Sequence, residues 1–324
     1  MATARSWRRG QDVTGPYPIE LDDIRALNEV FSDAFTDRYR RDGLVGVRVP
    51  MLNPAVWRYA IEDADGGAMM WRDERGEIAA FNVAHVSGTE GWMGPLAVRP
   101  DSQGNGLGKR VVQSAIDFVR SRGARTIGLE TMPRTLDNIG FYSALGFVPG
   151  RLTLTLTIDA GSSDRSPVLY GRLRDVEKAA SRQACATLVH SLQPGYDFTR
   201  EIELTDSYAL GDTTLLLRGN ELTGFAICHS VPLVEGRTRE ELRVLKLVLK
   251  REEYLEDMVR ALCDHARRSG TRRVALRIQG EYEGVYRRLV ALGGRVRWSD
   301  LRMSLVEHQE RMPAAGVVLS NWEI

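Results

Sequence analysis

Three separated blocks of this chain return later in nearly one register. Gly76-Glu77-Ile78-Ala79-Ala80-Phe81-Asn82-Val83-Ala84-His85 reappears as Asn220-Glu221-Leu222-Thr223-Gly224-Phe225-Ala226-Ile227-Cys228-His229, 144 positions on, with the Glu, Phe and His in place. Ile116 to Arg125 parallels Cys263 to Arg272 at an offset of 147, and Ala144-Leu145-Gly146 matches Ala291-Leu292-Gly293 at that same offset. Distant blocks that keep their spacing mean two copies of one folding unit. At 324 residues the chain is long enough for two ordinary domains with a core each. The polar stretch 159–165 is the expected joint, which gives domains 1–163 and 164–324. The short run 168–173 either closes the first sheet or opens the second.

The unit reads as α/β. Trp92-Met93-Gly94-Pro95-Leu96-Ala97-Val98 is a short apolar run suited to a buried strand, and Arg99-Pro100-Asp101 turns the chain out of it. Val111, Val112, Ala115, Ile116 and Val119 then recur at three- and four-residue spacing, so a helix with one apolar face follows. Between strand and helix lies Gln103-Gly104-Asn105-Gly106-Leu107-Gly108-Lys109-Arg110. The first amides of a helix that starts inside this run have no intrahelical partner, the dipole places positive charge there, and glycines let an anion reach the backbone. Such an end suits a phosphate. A nucleoside triphosphate loop is excluded, because Gly108-Lys109 is followed by Arg110 and not by a magnesium-binding hydroxyl. A nicotinamide dinucleotide loop stays open as a rival: Gly104 and Gly106 fit it, Lys109 replaces its third glycine, and Glu130 stands near its acidic position.

The order Q-x-x-G-x-G, from Gln103 through Gly106 to Gly108 after a strand ending Leu-Ala-Val-x-Pro, resembles motif A of the GCN5-related N-acetyltransferases (GNAT). A second element lies at the matching distance. Thr126-Ile127-Gly128-Leu129-Glu130 reads as another buried strand, and a helical run from Leu136 to Leu145 contains Phe141-Tyr142-Ser143-Ala144-Leu145-Gly146-Phe147, which looks like that family's F-Y-x-x-L-G-F signature. The resemblance implies a tandem GNAT fold, with a mixed central sheet flanked by helices in each domain. It implies that Gln103, Gly104, Asn105, Gly106, Leu107, Gly108 and Lys109 hold the pyrophosphate of acetyl-CoA. It also implies that backbone groups at Leu96, Ala97 and Val98 hold the pantetheine arm where two central parallel strands splay, and that Tyr142 lies beside the CoA sulfur. Where many relatives carry an asparagine seven residues before that tyrosine this chain has Thr135, with Asn138 four before, so either side chain is a candidate pantetheine contact.

Acetyl transfer to an amine needs a neutral amine, a polarised thioester and a proton for the leaving thiolate. Tyr142 is the expected acid and Glu130 the expected base, with Glu90 behind it, while His85 and its counterpart His229 share a structural role. The segment 36–48, with Arg38, Tyr39, Arg40 and Arg41, follows the first expected helix, where the resemblance places part of the acceptor site; its arginines are either acceptor contacts or a solvated helix end. In the second copy the glycine loop becomes Leu247 to Leu255, which has no glycine and carries Glu252 and Glu253, while Tyr142 becomes Leu289 and Glu130 becomes Arg277. That copy is expected to be degenerate, shaping the acceptor cleft or forming a homodimer contact.

The expected activity is therefore N-acetyl transfer from acetyl-CoA to a primary amine of a small molecule or peptide; the alternative is a non-catalytic acyl-CoA sensor. The 44 basic and 43 acidic residues nearly cancel, which argues against global attraction to nucleic acid or an anionic membrane. Cys185, Cys228 and Cys263 form no C-x-x-C pair, so no metal site is expected and a reduced, cytoplasmic setting fits. Residues 1–9 are basic, but no apolar run long enough to span a bilayer follows.

Overall fold

The computed structural model describes residues 12–161 and 167–323. Residues 1–9 and the part of the expected joint from 162 to 165, with the 163/164 boundary, lie outside the described residues. The first half runs β1 (Thr14–Pro18), α1 (Ile24–Arg41), α2 (Pro54–Asp63), β2 (Ala68–Arg72), β3 (Ile78–Ser87), β4 (Glu90–Val98), α3 (Leu107–Ser121), β5 (Thr126–Thr131), α4 (Leu136–Ser143) and β6 (Phe147–Asp159). The second repeats it as β7 (Val168–Leu169), α5 (Asp175–Leu192), α6 (Thr199–Ser207), β8 (Gly211–Arg218), β9 (Glu221–His229), β10 (Glu241–Leu249), α7 (Leu255–Arg268), β11 (Arg273–Gln279), α8 (Glu283–Ala291) and β12 (Arg295–Leu305). A further strand, β13 (Val317–Ser320), follows. β7 pairs with β8, so the run at 168 opens the second half.

The thirteen strands among the described residues form one sheet in the order β1-β2-β3-β4-β5-β12-β6-β11-β10-β9-β8-β7, with β13 attached to β10. The order is nearly palindromic about the antiparallel β12/β6 pair, and there the halves exchange strands. β12 pairs with β5 through Leu301↔Thr131 to Ser304↔Gly128. β6 pairs with β11 from Thr153↔Gln279 to Asp159↔Arg273. Apolar side chains follow the exchange: Met303 and Leu305 enter the first core, Leu156 and Ile158 the second. β6 starts in the first core with Phe147 and ends in the second. Neither half keeps a complete sheet without the other's strand.

The helices bury the faces their spacing predicts. α3 turns Leu107, Val111, Val112, Ala115, Ile116 and Val119 inward against the sheet. The counterpart α7 buries Leu255, Met258, Val259, Leu262 and Ala266 in the second core. The symmetry-related contacts between halves are reciprocal: Gly88 bridges to Tyr196 and Leu52 to Val234.

Candidate active site

β4 and β5 pair in parallel only from Glu90↔Thr126 to Met93↔Leu129, although β4 continues to Val98. On its other side β4 shifts register against β3 between Ala84↔Met93 and Asn82↔Leu96. That extra residue is a bulge at Gly94-Pro95, where proline has no amide to offer the ladder. The strands therefore part beyond Met93 and open a wedge into the sheet.

The glycine loop lies at the outer end of this wedge. Gln103 anchors it, its side-chain Nε2 donating to the carbonyl of Val98 at 2.9 Å, while Arg41 donates to Gln103 Oε1 at 3.0 Å. Gly106 caps α3 with φ +78° and Gly104 has φ +90°, conformations that L side chains rarely adopt. A Cβ built on either would meet nothing within 4 Å, so both face open space, as a cradle for a bulky anion must. A cavity of about 450 Å³ runs from this loop along β4 to Tyr142. Leu96, Ala97, Val98, Gln103, Gly104, Gly106, Gly108, Lys109, Asn138 and Tyr142 all border it. The residues present thus fit a phosphate-bearing cofactor with a long arm.

Some sequence-predicted residues lie elsewhere. Leu107 turns its side chain into the core at 4% exposure, leaving only its backbone on the loop. Asn105 is not among the residues that border the cavity. Thr135 is fully buried and donates to Asp42 at 2.7 Å, tying α4 to the end of α1. Of the two candidate pantetheine contacts, Asn138 is therefore the one on the cavity.

A second cavity, about 320 Å³, adjoins the first and shares Phe35, Arg38, Leu96, Asn138 and Tyr142 with it. Tyr142 stands where they meet. Burial raises its phenol to about 12, so the hydroxyl keeps its proton at neutral pH. The first half also brings Tyr39 and Glu130 to this chamber, and the second half brings Leu233, Trp298, Asp300, Trp322 and Glu323.

Glu130 does not have the surroundings of a base. Its carboxylate accepts from Arg277 at 2.6 Å, from Arg302 at 3.1 Å and from Thr153. Burial alone would raise its pKa, but Arg277 and Arg302 overcome that and hold it below the usual carboxylate range. Charge neutralisation across the strand exchange occupies this side chain. Glu90 is likewise committed: fully buried, it accepts from Trp322 at 2.8 Å, Ser320 at 2.7 Å and Lys246 at 3.3 Å. His85 is buried against Trp92 with its Nδ1 2.6 Å from Asp63, and His229 contacts Thr205. Arg38, Tyr39, Arg40 and Arg41 do not follow the first helix as expected but form the last turn of α1, and its arginines are paired: Arg38 with Asp42 and Asp137, Arg40 and Arg41 with Asp37.

Glu323 has the properties Glu130 lacks. It stands on the chamber about half exposed, at 47%, with Oε2 2.7 Å from Arg277. Desolvation, with the like charges of Asp300 and Glu130, pushes its carboxyl up to about 7 against the opposing pull of Arg277 and Arg243. Sequence reasoning missed it because it lies beyond the duplicated blocks. Leu233 left one trace: β3 and β4 are joined by 88–89, whereas β9 and β10 are joined by 230–240, and that insertion contributes to the drift of the repeat offset from 144 to 147.

A glycine loop anchored at Gln103, a splayed parallel pair and a tyrosine where two cavities meet are thus brought together on one α/β fold. Residues 26–147, within the first half of the chain, match the model of the acetyltransferase (GNAT) family. Over 74 residues the chain is 35% identical to the [ribosomal protein bS18]-alanine N-acetyltransferase of Escherichia coli K12, a match covering 23% of this chain and half the length of that relative. The whole chain also has the fold of solved GNAT structures. It superimposes on a GCN5-related N-acetyltransferase from Sphaerobacter thermophilus with a TM-score of 0.57 at 15% identity, over 94% of this chain and 98% of that one. A tandem GNAT protein from the clavulanic acid biosynthesis pathway gives 0.60 at 12% identity, over 93% and 100%. Among the described residues no helix is long and apolar enough to cross a membrane, and no group of three or more His, Cys, Asp or Glu is arranged to hold a metal ion.

Proposed function

We propose that this chain is an N-acetyltransferase in which the first half binds acetyl-CoA and a primary amine attacks it directly. The observation that carries the reading is the continuity of two cavities at Tyr142, one leading from the glycine loop and one facing the second half. Bound acetyl-CoA supplies an acetyl group activated as a thioester. Amides at the start of α3, with Gly104 and Gly106 clearing the approach, hold its phosphates. Leu96, Ala97 and Val98, on the part of β4 that β5 leaves unpaired, line the arm, with Asn138 opposite. Tyr142 donates its phenolic proton to the departing sulfur, and Glu323, with its pKa near neutrality, takes the proton released by the amine. The apolar chamber walls limit water and so favour aminolysis over hydrolysis.

A domain division at the linker, 1–163 and 164–324, belongs to this reading as a division of labour, since β6 and β12 cross it in the sheet. The test is acetyl-CoA titration by calorimetry beside amine-dependent CoA release. Binding with release on an amine panel is expected. Binding without release on a broad panel would favour an acyl-CoA sensor, and binding of NAD in place of acetyl-CoA would revive the dinucleotide alternative.

A further inference from the structure

Resting on that reading, we infer that the second half builds the acceptor pocket and that its ligand is a small primary amine on a compact apolar body, not the amino end of a polypeptide. The inference starts with what happens to the second half's own wedge. β10 and β11 pair only from Glu241↔Arg273 to Arg243↔Ala275, so they part just as β4 and β5 do. Here β13 fills the gap, pairing with β10 from Lys246↔Ser320 to Leu249↔Val317. Tyr282 locks it, its hydroxyl donating to the carbonyl of Val318 at 2.9 Å and accepting from the Val318 amide at 3.0 Å. The chain leaves that plug directly into the first half's chamber, where Trp322 and Glu323 arrive.

Trp322 is fixed at the chamber floor. Its ring packs where a Cβ on Gly128 would stand, only 2.2 Å from the nearest ring carbon, and Arg302 stacks over it at 3.4 Å. The opposite wall comes from the connection 230–240. Leu52 bridges to Val234, the Asn53 amide donates to the Leu233 carbonyl at 2.9 Å, and the Glu235 amide donates to the Met51 carbonyl at 3.0 Å. These bonds occupy backbone that an extended peptide would need for pairing beside the chamber. Leu233 lines the pocket together with Phe31, Val49 and Leu52, so part of its wall is apolar.

The floor is acidic. Arg277 makes salt bridges with Glu130, Asp300 and Glu323 together. Arg302 also pairs with Glu130 at 3.1 Å, so Asp300 and Glu323 are the two carboxylates that share Arg277; an alkylammonium placed on Asp300 and Glu323 supplies a second cation there. A chamber of about 320 Å³ with aromatic walls then holds an apolar body of aryl size.

The experiment titrates acetyl-CoA into the intact protein first, then 2-phenylethylamine, ethanolamine and an alanine-led hexapeptide into the CoA-saturated protein, with CoA release measured for each. Phenylethylamine is expected to bind and to be acetylated with kcat/KM at least tenfold above both others. Leu233→Arg, a change at an exposed residue, is expected to raise its Kd and KM at least tenfold with acetyl-CoA affinity kept within twofold. Preference for the hexapeptide or ethanolamine, or indifference to Leu233→Arg, would overturn the inference while leaving acetyl transfer standing. Failure of acetyl-CoA to bind would show in the first titration and would overturn both.

Discussion

The two halves share a wedge between parallel strands but use it in opposite ways. In the first, β4 parts from β5 and the space remains open from the glycine loop to Tyr142. In the second, β10 parts from β11 and the chain's own β13 occupies the space, with Leu289 where Tyr142 would be. The entrances differ as well. Gly104 and Gly106 keep the first clear, while the second has a short 3-10 turn, Glu252–Tyr254, in which Arg251 pairs with Glu253 and Arg288 with Glu252. The difference teaches that a duplicated fold can lose one binding site without losing the geometry that made it, by turning the gap into a strand slot. The second half then contributes through what protrudes from that slot.

This comparison breaks most easily at the loop. Gly106→Glu puts a side chain at φ +78° and a negative charge at a helix start, so the acetyl-CoA Kd should rise at least about 100-fold, from strain and charge repulsion together. Calorimetry on the wild type should show one site per chain; two sites would mean that β13 does not plug the second wedge. Next, Tyr142→Phe should lower kcat about 100-fold with acetyl-CoA affinity nearly kept. Equal turnover would remove the tyrosine from the chemistry. Its counterpart substitution, Leu289→Ala, empties a fully buried site in the second core and should cost about 2–5 kcal/mol of stability, read in a denaturant melt, without altering kcat of the folded protein.

Smaller effects sharpen the assignment of the base. A carboxyl whose pKa is raised to about 7 is ionised above that pH, so kcat/KM should climb as pH rises through 7. Glu323→Gln should flatten that limb and lower kcat about tenfold at pH 8. An unchanged profile would place the base elsewhere. A separate, stability-only effect concerns Glu201, buried beneath Ser87 and 4.0 Å from Lys246. Burial, then the charge of Asp63, raises its carboxyl from 4.5 to about 8. Its contribution is therefore fully present below about 4.5 and lost as pH rises through about 8. The Tm of Glu201→Gln relative to wild type should then increase between pH 5 and pH 9, and a flat difference would contradict the shift.

Much of this was legible in the chain itself. The spacing of Val111, Ala115 and Val119 placed α3, and Gly104 and Gly106 marked the open turn at its start, because those signals are local and depend on backbone conformation and one helix face. The short helix that carries Tyr142 was legible through the signature around it. Glu130 was misjudged because its position on a strand is a local fact, whereas its partners Arg277 and Arg302 lie 147 and 172 residues away. Thr135 was offered beside Asn138 because sequence distance cannot tell which side of a short helix meets a cavity and which meets Asp42.

The sequence by itself determined that there are two copies, that only the first keeps a glycine entrance, and that the second has lost the tyrosine. Periodicity, glycine placement and repeat register are properties of neighbours along the chain. Only the tertiary structure decided that β6 and β12 change places, that β13 closes the second wedge, and that Leu233, Trp322 and Glu323 reach the first half's chamber. Those outcomes depend on which strand edge offers unpaired hydrogen bonds and which core has room, and both are fixed only when distant segments meet.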